Sequence, residues 1–138
     1  MNLKLKIITP RKIVLEKDVQ SVTVPSAAGE LTILPHHSDL LTLLKEGIIT
    51  YRMGKDEDYL AIGGGYLETD GEELQILVSR AYHQDEINEE QTKKAMVEAE
   101  KIMSQSKDSQ ERTAALSTLR RSAIDMKLLK KRRRNTSV

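Results

Sequence analysis

From the start of the chain to about Tyr82, apolar and polar positions alternate. Leu3, Leu5 and Ile7 alternate with Lys4 and Lys6, and Val22 and Val24 with Ser21 and Thr23. The pairs Leu31/Ile33, Ile49/Tyr51 and Leu60/Ile62 keep the same step, as does the run Leu74, Ile76, Val78. A period of two puts every second side chain on one face of a strand. Turn-forming residues separate the runs: Thr9-Pro10, Pro25 to Gly29, Pro35, Gly47, residues 53–58, Gly63 to Gly65 and Asp70-Gly71. Asp-Gly between apolar runs predicts a tight hairpin, because both residues accept positive φ. Short strands at about ten-residue spacing predict an all-β sandwich or barrel. Residues 39–45 are apolar and fit either a strand or a helix.

Beyond Ile87 the step lengthens. Ala95, Ala99, Ile102 and Met103 recur at helical spacing, with Lys93, Lys94, Glu98 and Glu100 largely outward. Residues 104–109 are polar and read as a turn, and Ser109 is a candidate cap for a second helix. In that helix Leu116, Leu119, Ala123 and Met126 form the expected apolar stripe. Two helices of about 15 and 20 residues with a short connector predict an antiparallel hairpin. The expected division is therefore a β-domain over residues 1–86 and a helical hairpin over 87–138, frayed beyond Lys131. The stripe is narrow and Ala-rich. At roughly 25 cal/mol per Å², its burial holds the hairpin only modestly, so it can act as a movable element.

Composition narrows the function classes. The 138 residues contain no cysteine, which excludes disulfides and thiolate metal sites. With no Trp or Phe and four Tyr, the core must be aliphatic. No apolar run approaches the roughly 20 residues that span a bilayer. The charged, alternating start resembles neither a signal nor a transit peptide. The net charge of +1 conceals a polarity along the chain. Residues 56–100 hold thirteen acids against Arg80, Lys93 and Lys94, whereas residues 110–138 hold nine bases against Glu111 and Asp125.

Candidate chemistry is sparse. His36, His37 and His83 have no Ser, Asp or Cys partner at a recognisable catalytic spacing, and His36 and His83 read as surface residues. Gly63-Gly64-Gly65 lacks both the Gly-x-Gly-x-x-Gly spacing and a following Lys or helix, so a close backbone approach is expected there. The basic stretch Arg112, Arg120, Arg121, Lys127, Lys130, Lys131 and Arg132 to Arg134 admits two readings. It is a solvated helix face with a favourable dipole interaction, or a docking surface for an acidic partner. A β-domain with a basic tail also suits nucleic acid. Against that stand the acidic later β-region and the lack of Phe or Trp for base stacking.

The run Gly29-Glu30-Leu31-Thr32-Ile33-Leu34-Pro35-His36-His37 resembles the signature Gly-Glu-x-Gly-(Ile/Val)-(Leu/Tyr)-Pro-x-His of ATP synthase epsilon subunits. Leu40, Leu41, Thr42 and Gly47 follow at that family's spacing. So do the opening Leu5 to Val19, Gly63 to Glu68, the strand Leu74 to Ser79, and the helix segment Leu116 to Arg121. The resemblance covers essentially the whole chain. It implies a mainly β fold with α: a flattened ten-stranded sandwich followed by the two-helix hairpin. It implies a non-catalytic rotor subunit that couples gamma and c-ring rotation to ATP synthesis, with helices that restrain ATP hydrolysis. The implied partners are the gamma subunit, the c-ring and the catalytic alpha and beta subunits, with no nucleic acid. Membrane association comes only through the complex, on the cytoplasmic face of a bacterial plasma membrane in preference to a thylakoid. Glu30, Ile33, Pro35 and His37 fall where gamma and c-ring contacts are expected, although Glu30 also suits a plain edge charge. The cations from Arg112 to Lys131 become the expected inhibitory contacts.

Two departures bear on ligands. Thr32 replaces the second glycine and Asp39 the proline common after the histidine. Some members bind ATP through (Ile/Leu)-Asp-x-x-Arg-Ala, where this chain has Ile87-Asn88-Glu89-Glu90-Gln91-Thr92. Tyr82 replaces a further carboxylate. Asn88 and Gln91 supply neither the carboxylate nor the guanidinium fork that grips phosphate. Neither a cofactor nor tight ATP binding is expected.

Overall fold

A computed structural model describes residues 1–131 of the chain. The expected frayed end and Arg132 to Arg134 lie outside the described residues. The chain forms two compact units that meet after His83, three residues before the expected boundary.

The first unit contains ten strands: β1 (Leu3–Ile8), β2 (Ile13–Val19), β3 (Ser21–Ser26), β4 (Gly29–Ile33), β5 (Leu40–Leu44), β6 (Gly47–Met53), β7 (Asp56–Ile62), β8 (Gly65–Thr69), β9 (Glu73–Val78) and β10 (Ala81–Tyr82). The ambiguous segment at 39–45 is thus strand β5. Its central position, between β3 and β8, favours an extended backbone over a helix. The strands pair in the order β10-β7-β6-β3-β5-β8-β9-β1-β2, with β4 added to β3. One layer is β5-β8-β9-β1-β2. The other is β10-β7-β6-β3-β4. They join at a single Ser26–Leu44 pairing. Every ladder is antiparallel except β1 with β9, which run parallel with Leu5 beside Leu74.

The alternation anticipated in the sequence fills the space between the layers. Leu3, Leu5, Ile7, Leu67, Leu74 and Ile76 from one layer meet Val22, Val24, Ile33, Ile49, Leu60 and Ile62 from the other, all fully or almost fully buried. Tyr51 is the one aromatic in this cluster.

The Asp70-Gly71 hairpin joins β8 to β9. Gly71 adopts φ +92°, and Asp70 Oδ1 accepts from the backbone N–H of Glu72 and of Glu73, each at 2.9 Å. These bonds, that of Glu73 foremost, hold the Asp70 carboxyl below its usual 3.8. At Gly65 a side chain would collide with the Leu77 carbonyl oxygen of the neighbouring strand. Gly65 therefore serves close strand packing.

The second unit is a 3-10 turn (Gln84–Glu86) followed by α1 (Glu89–Gln105) and α2 (Ser109–Lys130). Asn88 caps α1, accepting from Gln91 N at 3.0 Å. Two ion pairs, Glu89–Lys93 and Glu90–Lys94, stand one turn apart on its surface. α1 continues through Gln105, so the connector is only Ser106 to Asp108. The N-cap of α2 is Asp108 and not Ser109, with Oδ1 accepting from Gln110 N at 2.9 Å. A carboxylate outranks the neighbouring serine at this position because it also complements the helix dipole.

The apolar stripe of α2 requires a correction as well. Leu116 and Ala123 are exposed, while Ala115 and Ser122 are buried, with Leu119, Met126 and Leu129 half-buried. The inward row steps 115, 119, 122, 126, 129, alternating four and three. α1 buries Ala99 and half-buries Ala95, Ile102 and Met103. Small residues on both helices allow a close approach, and this outweighs burial of the bulkier Leu116.

Candidate functional site

No three His, Cys, Asp or Glu among the described residues are grouped to hold a metal ion. No helix among them is long and apolar enough to cross a membrane. The surface feature that stands out is apolar. On the outward face of the layer β5-β8-β9-β1-β2, strand register aligns Leu43 with Tyr66 and Tyr66 with Leu77. Leu77 in turn aligns with Ile8, and Ile8 with Ile13. Five apolar side chains thus form one row across five strands, about 19 Å long at 4.8 Å per strand. Leu43 is 66% exposed, Ile13 51% and Tyr66 41%. The next row, Leu41-Glu68-Gln75-Lys6-Glu16, is polar but for Leu41, itself 69% exposed. An apolar band with a polar margin on an otherwise charged domain has the character of a protein-docking surface. Beside Leu41 lies an open groove of about 390 Å³ whose walls include Asp39, Glu68, Asp70 and Glu73.

Pattern reasoning did not find this row. Alternation indicates which residues face outward, but not that β1 lies beside β9. Of the residues singled out from the sequence, Ile33 is fully buried in the core and offers no side chain to a partner. Glu30 is exposed beside the β3–β4 turn, opposite Pro25. Pro35 and His37 are half-buried beyond the other end of β4. The length of that strand separates Glu30 from His37, so the structure does not bring them into one cluster. His36 N–H donates to the Gly71 carbonyl at 2.8 Å, and His37 N–H to that of Leu34 at 3.2 Å. The His37 ring Nδ1 bonds the Ser38 carbonyl at 2.7 Å. His36 adopts φ +67°. His83, expected at the surface, is half-buried.

The cations divide into separate roles. Arg112 donates to the carbonyls of Met103 and, at 3.3 Å, Ser106, and so caps the end of α1. Arg120, Arg121, Lys127 and Lys130 are exposed and Lys131 half-buried. At about 100° per residue, Arg120 and Lys127 share a face turned away from the Ala115–Ser122 seam, while Arg121 lies to one side. Asn88 is committed to its cap, and Gln91 is exposed and uncharged.

The chain thus combines a β-body that carries an exposed apolar band with a helical pair that carries a cationic face. Residues 2–84 match the family described as ATP synthase, Delta/Epsilon chain, beta-sandwich domain. An ATP synthase epsilon chain of Syntrophobacter fumaroxidans is 37% identical over 94% of this chain and 96% of that one. Another, of Herpetosiphon aurantiacus, is 34% identical over 96% and 98%. The chain belongs to the ATP synthase epsilon family. Its fold is also that of a chain in the Euglena gracilis mitochondrial ATP synthase OSCP/F1/c-ring structure. There the TM-score is 0.69 at 23% identity, covering 93% of this chain and 77% of that one. A chain of the central stalk and c-ring of the Tetrahymena thermophila mitochondrial enzyme gives 0.63 at 17%, with 94% and 97% covered.

Proposed function

We propose that this chain is a non-catalytic rotor subunit of an ATP synthase. Its β-body couples gamma to the c-ring, and its helical pair restrains ATP hydrolysis. The observation that carries the reading is the transverse apolar row, Leu43-Tyr66-Leu77-Ile8-Ile13. The occupant proposed for it is the gamma subunit, because the family membership and the central-stalk neighbour both point to a shaft-bound protein. Burying such a row is worth roughly 25 cal/mol for each Å² of apolar surface removed from water. A few hundred Å² then gives several kcal/mol, from which the cost of association must be subtracted. Glu30, exposed at the β3–β4 turn, faces the polar loops of the c-ring, and Pro35 and His37 belong to the opposite end of that hairpin.

The regulatory role falls to the cationic face of α2. Arg120, Arg121, Lys127 and Lys130 are attracted to an acidic segment of the catalytic alpha and beta subunits. In a partly dry interface such charges interact more strongly than they do in water. The 22 residues of α2 reach about 33 Å at 1.5 Å each, enough to extend from the rotor into the catalytic head. The assembly acts at a membrane that this chain touches only through its partners, on the cytoplasmic face in a bacterial cell. ATP is not among its ligands.

Truncation after Ile87 tests this division of labour. The remaining β-body is expected to co-purify with gamma and sustain coupled synthesis, while hydrolysis by the assembled enzyme rises. Loss of gamma binding on truncation would contradict the reading.

A further inference from the structure

We propose that Gln84 is a latch that closes the helical unit and sets how often α2 leaves its compact packing. This proposal rests on the regulatory role assigned above to the helical pair. Gln84 opens the 3-10 turn where the chain enters the unit. Its side-chain Nε2 lies 3.0 Å from the Leu128 carbonyl oxygen, 2.8 Å from that of Leu129 and 2.9 Å from that of Lys131. These belong to the last turn of α2 and its cap, where the Leu128 carbonyl also accepts from Lys131 N–H at 3.1 Å and helix-end carbonyls otherwise lack the usual intrahelical donor. One carboxamide has two N–H groups, so three acceptors at these distances share them. All three of these partners are carbonyl oxygens, which fixes the amide with nitrogen inward.

The contact spans more than forty residues and joins the beginning of the unit to its end. The remaining packing of α2 combines the small side chains Ala115 and Ser122 with the fully buried Leu128 and the half-buried Leu119, Met126 and Leu129. The Gln84 anchor adds hydrogen bonds to this packing at the far end of α2, where opening of the unit begins. Opening also exposes the partial negative charge of the α2 C-terminus, which the Gln84 N–H dipoles otherwise offset. The cationic face of α2 is free to reorient only after this anchor releases. Gln84 is thus a positioning residue for the inhibitory face without touching any partner of it.

Hydrogen exchange on the full-length chain, comparing wild type with Gln84→Met and Gln84→Glu, tests the latch. Methionine keeps the length and removes the donors. Glutamate removes them and places a carboxylate against three carbonyls. Amides of the last two turns of α2 are expected to exchange about tenfold faster in Gln84→Met, in line with the loss of one to two net hydrogen bonds. They exchange faster still in Gln84→Glu, while β1 and β9 are unchanged. Unaltered protection of residues 124–131 in both variants would overturn the latch. Equal deprotection of the β-body would overturn it too, by showing Gln84 to be a general stability residue. ATP hydrolysis by the assembled enzyme is measured separately. Faster exchange with unchanged hydrolysis leaves the latch standing and counts against the inhibitory role of the helices.

Discussion

Tyr66 stands opposite Leu43 across the β5–β8 ladder, both side chains outward, with Leu77 next to Tyr66 on the other side. This trio is the centre of the apolar row. Leu43→Arg or Tyr66→Glu is expected to weaken association with gamma by about 100-fold, as for a desolvated position at the middle of an interface. The melting temperature of the free chain should stay within about a degree, because these side chains are not part of the core. The corresponding change at Lys17, exposed on β2 and outside the row, should leave gamma binding as it is. Surface plasmon resonance against purified gamma, with a thermal melt of each variant, checks both statements.

Gly65 presses against the β9 backbone. Gly65→Ala drives a methyl group into the Leu77 carbonyl, and the strands must separate to accept it. A loss of about 1–3 kcal/mol in urea unfolding is expected, the range for overpacking. Gly54, at the β6–β7 turn, has open space where a side chain would sit but a φ of +61°. Its replacement by Asn, which tolerates that conformation, should cost much less.

Asp70 gives a small acid-sensitive contribution. Its folded pKa lies below 3.8, so the ionised form is favoured in the native state. The contribution is complete above the unfolded pKa and disappears as pH falls through the lowered folded value. Asp70→Asn retains an oxygen for the Glu72 and Glu73 N–H groups but cannot titrate. Its melting temperature should therefore fall less steeply than wild type between pH 5 and pH 2. Parallel slopes would assign the acid sensitivity elsewhere.

Arg120 and Lys127 are expected to behave differently from Arg112. Charge removal at Arg120 and Lys127, with Arg121 included, should raise hydrolysis by the assembled enzyme severalfold and leave the helical content of the free chain intact. Arg112→Ala removes a C-terminal cap from α1 and should lower the stability of the helical pair by about 1 kcal/mol. Circular dichroism on the free chain and ATPase assays on the complex separate the two effects.

The strands were legible because alternation records which side of a strand meets the core, and the Asp70-Gly71 turn because its residue types suit positive φ. The α2 seam was misplaced for a definite reason. A hydrophobic pattern weights Leu116 above Ala115, whereas close helix packing selects for small side chains. The contact of Gln84 with the end of α2 was not legible either, because Gln84 looks like a loop residue until the end of α2 returns to it. The apolar row was out of reach for a topological reason. Its members lie on strands whose adjacency depends on β1 pairing with β9, and nothing local to Ile8 points to Leu77. Glu30 and His37 lie beyond opposite ends of β4, since an extended strand carries its two ends apart.

The parallel pairing of β1 with β9 also constrains how the protein is made. On the ribosome, β1 and β2 emerge first and can form their hairpin early, but β1 has an open edge until Glu73 to Leu77 have been synthesised. Closure of the body is thus a late, long-range event in a chain whose other ladders are mostly local. The helical pair, built from near neighbours and translated last, can form as soon as it leaves the exit tunnel. The nascent body must therefore tolerate an unpaired edge for most of its synthesis, and the outward lysines Lys4 and Lys6 on that edge strand are well placed to discourage pairing with another chain.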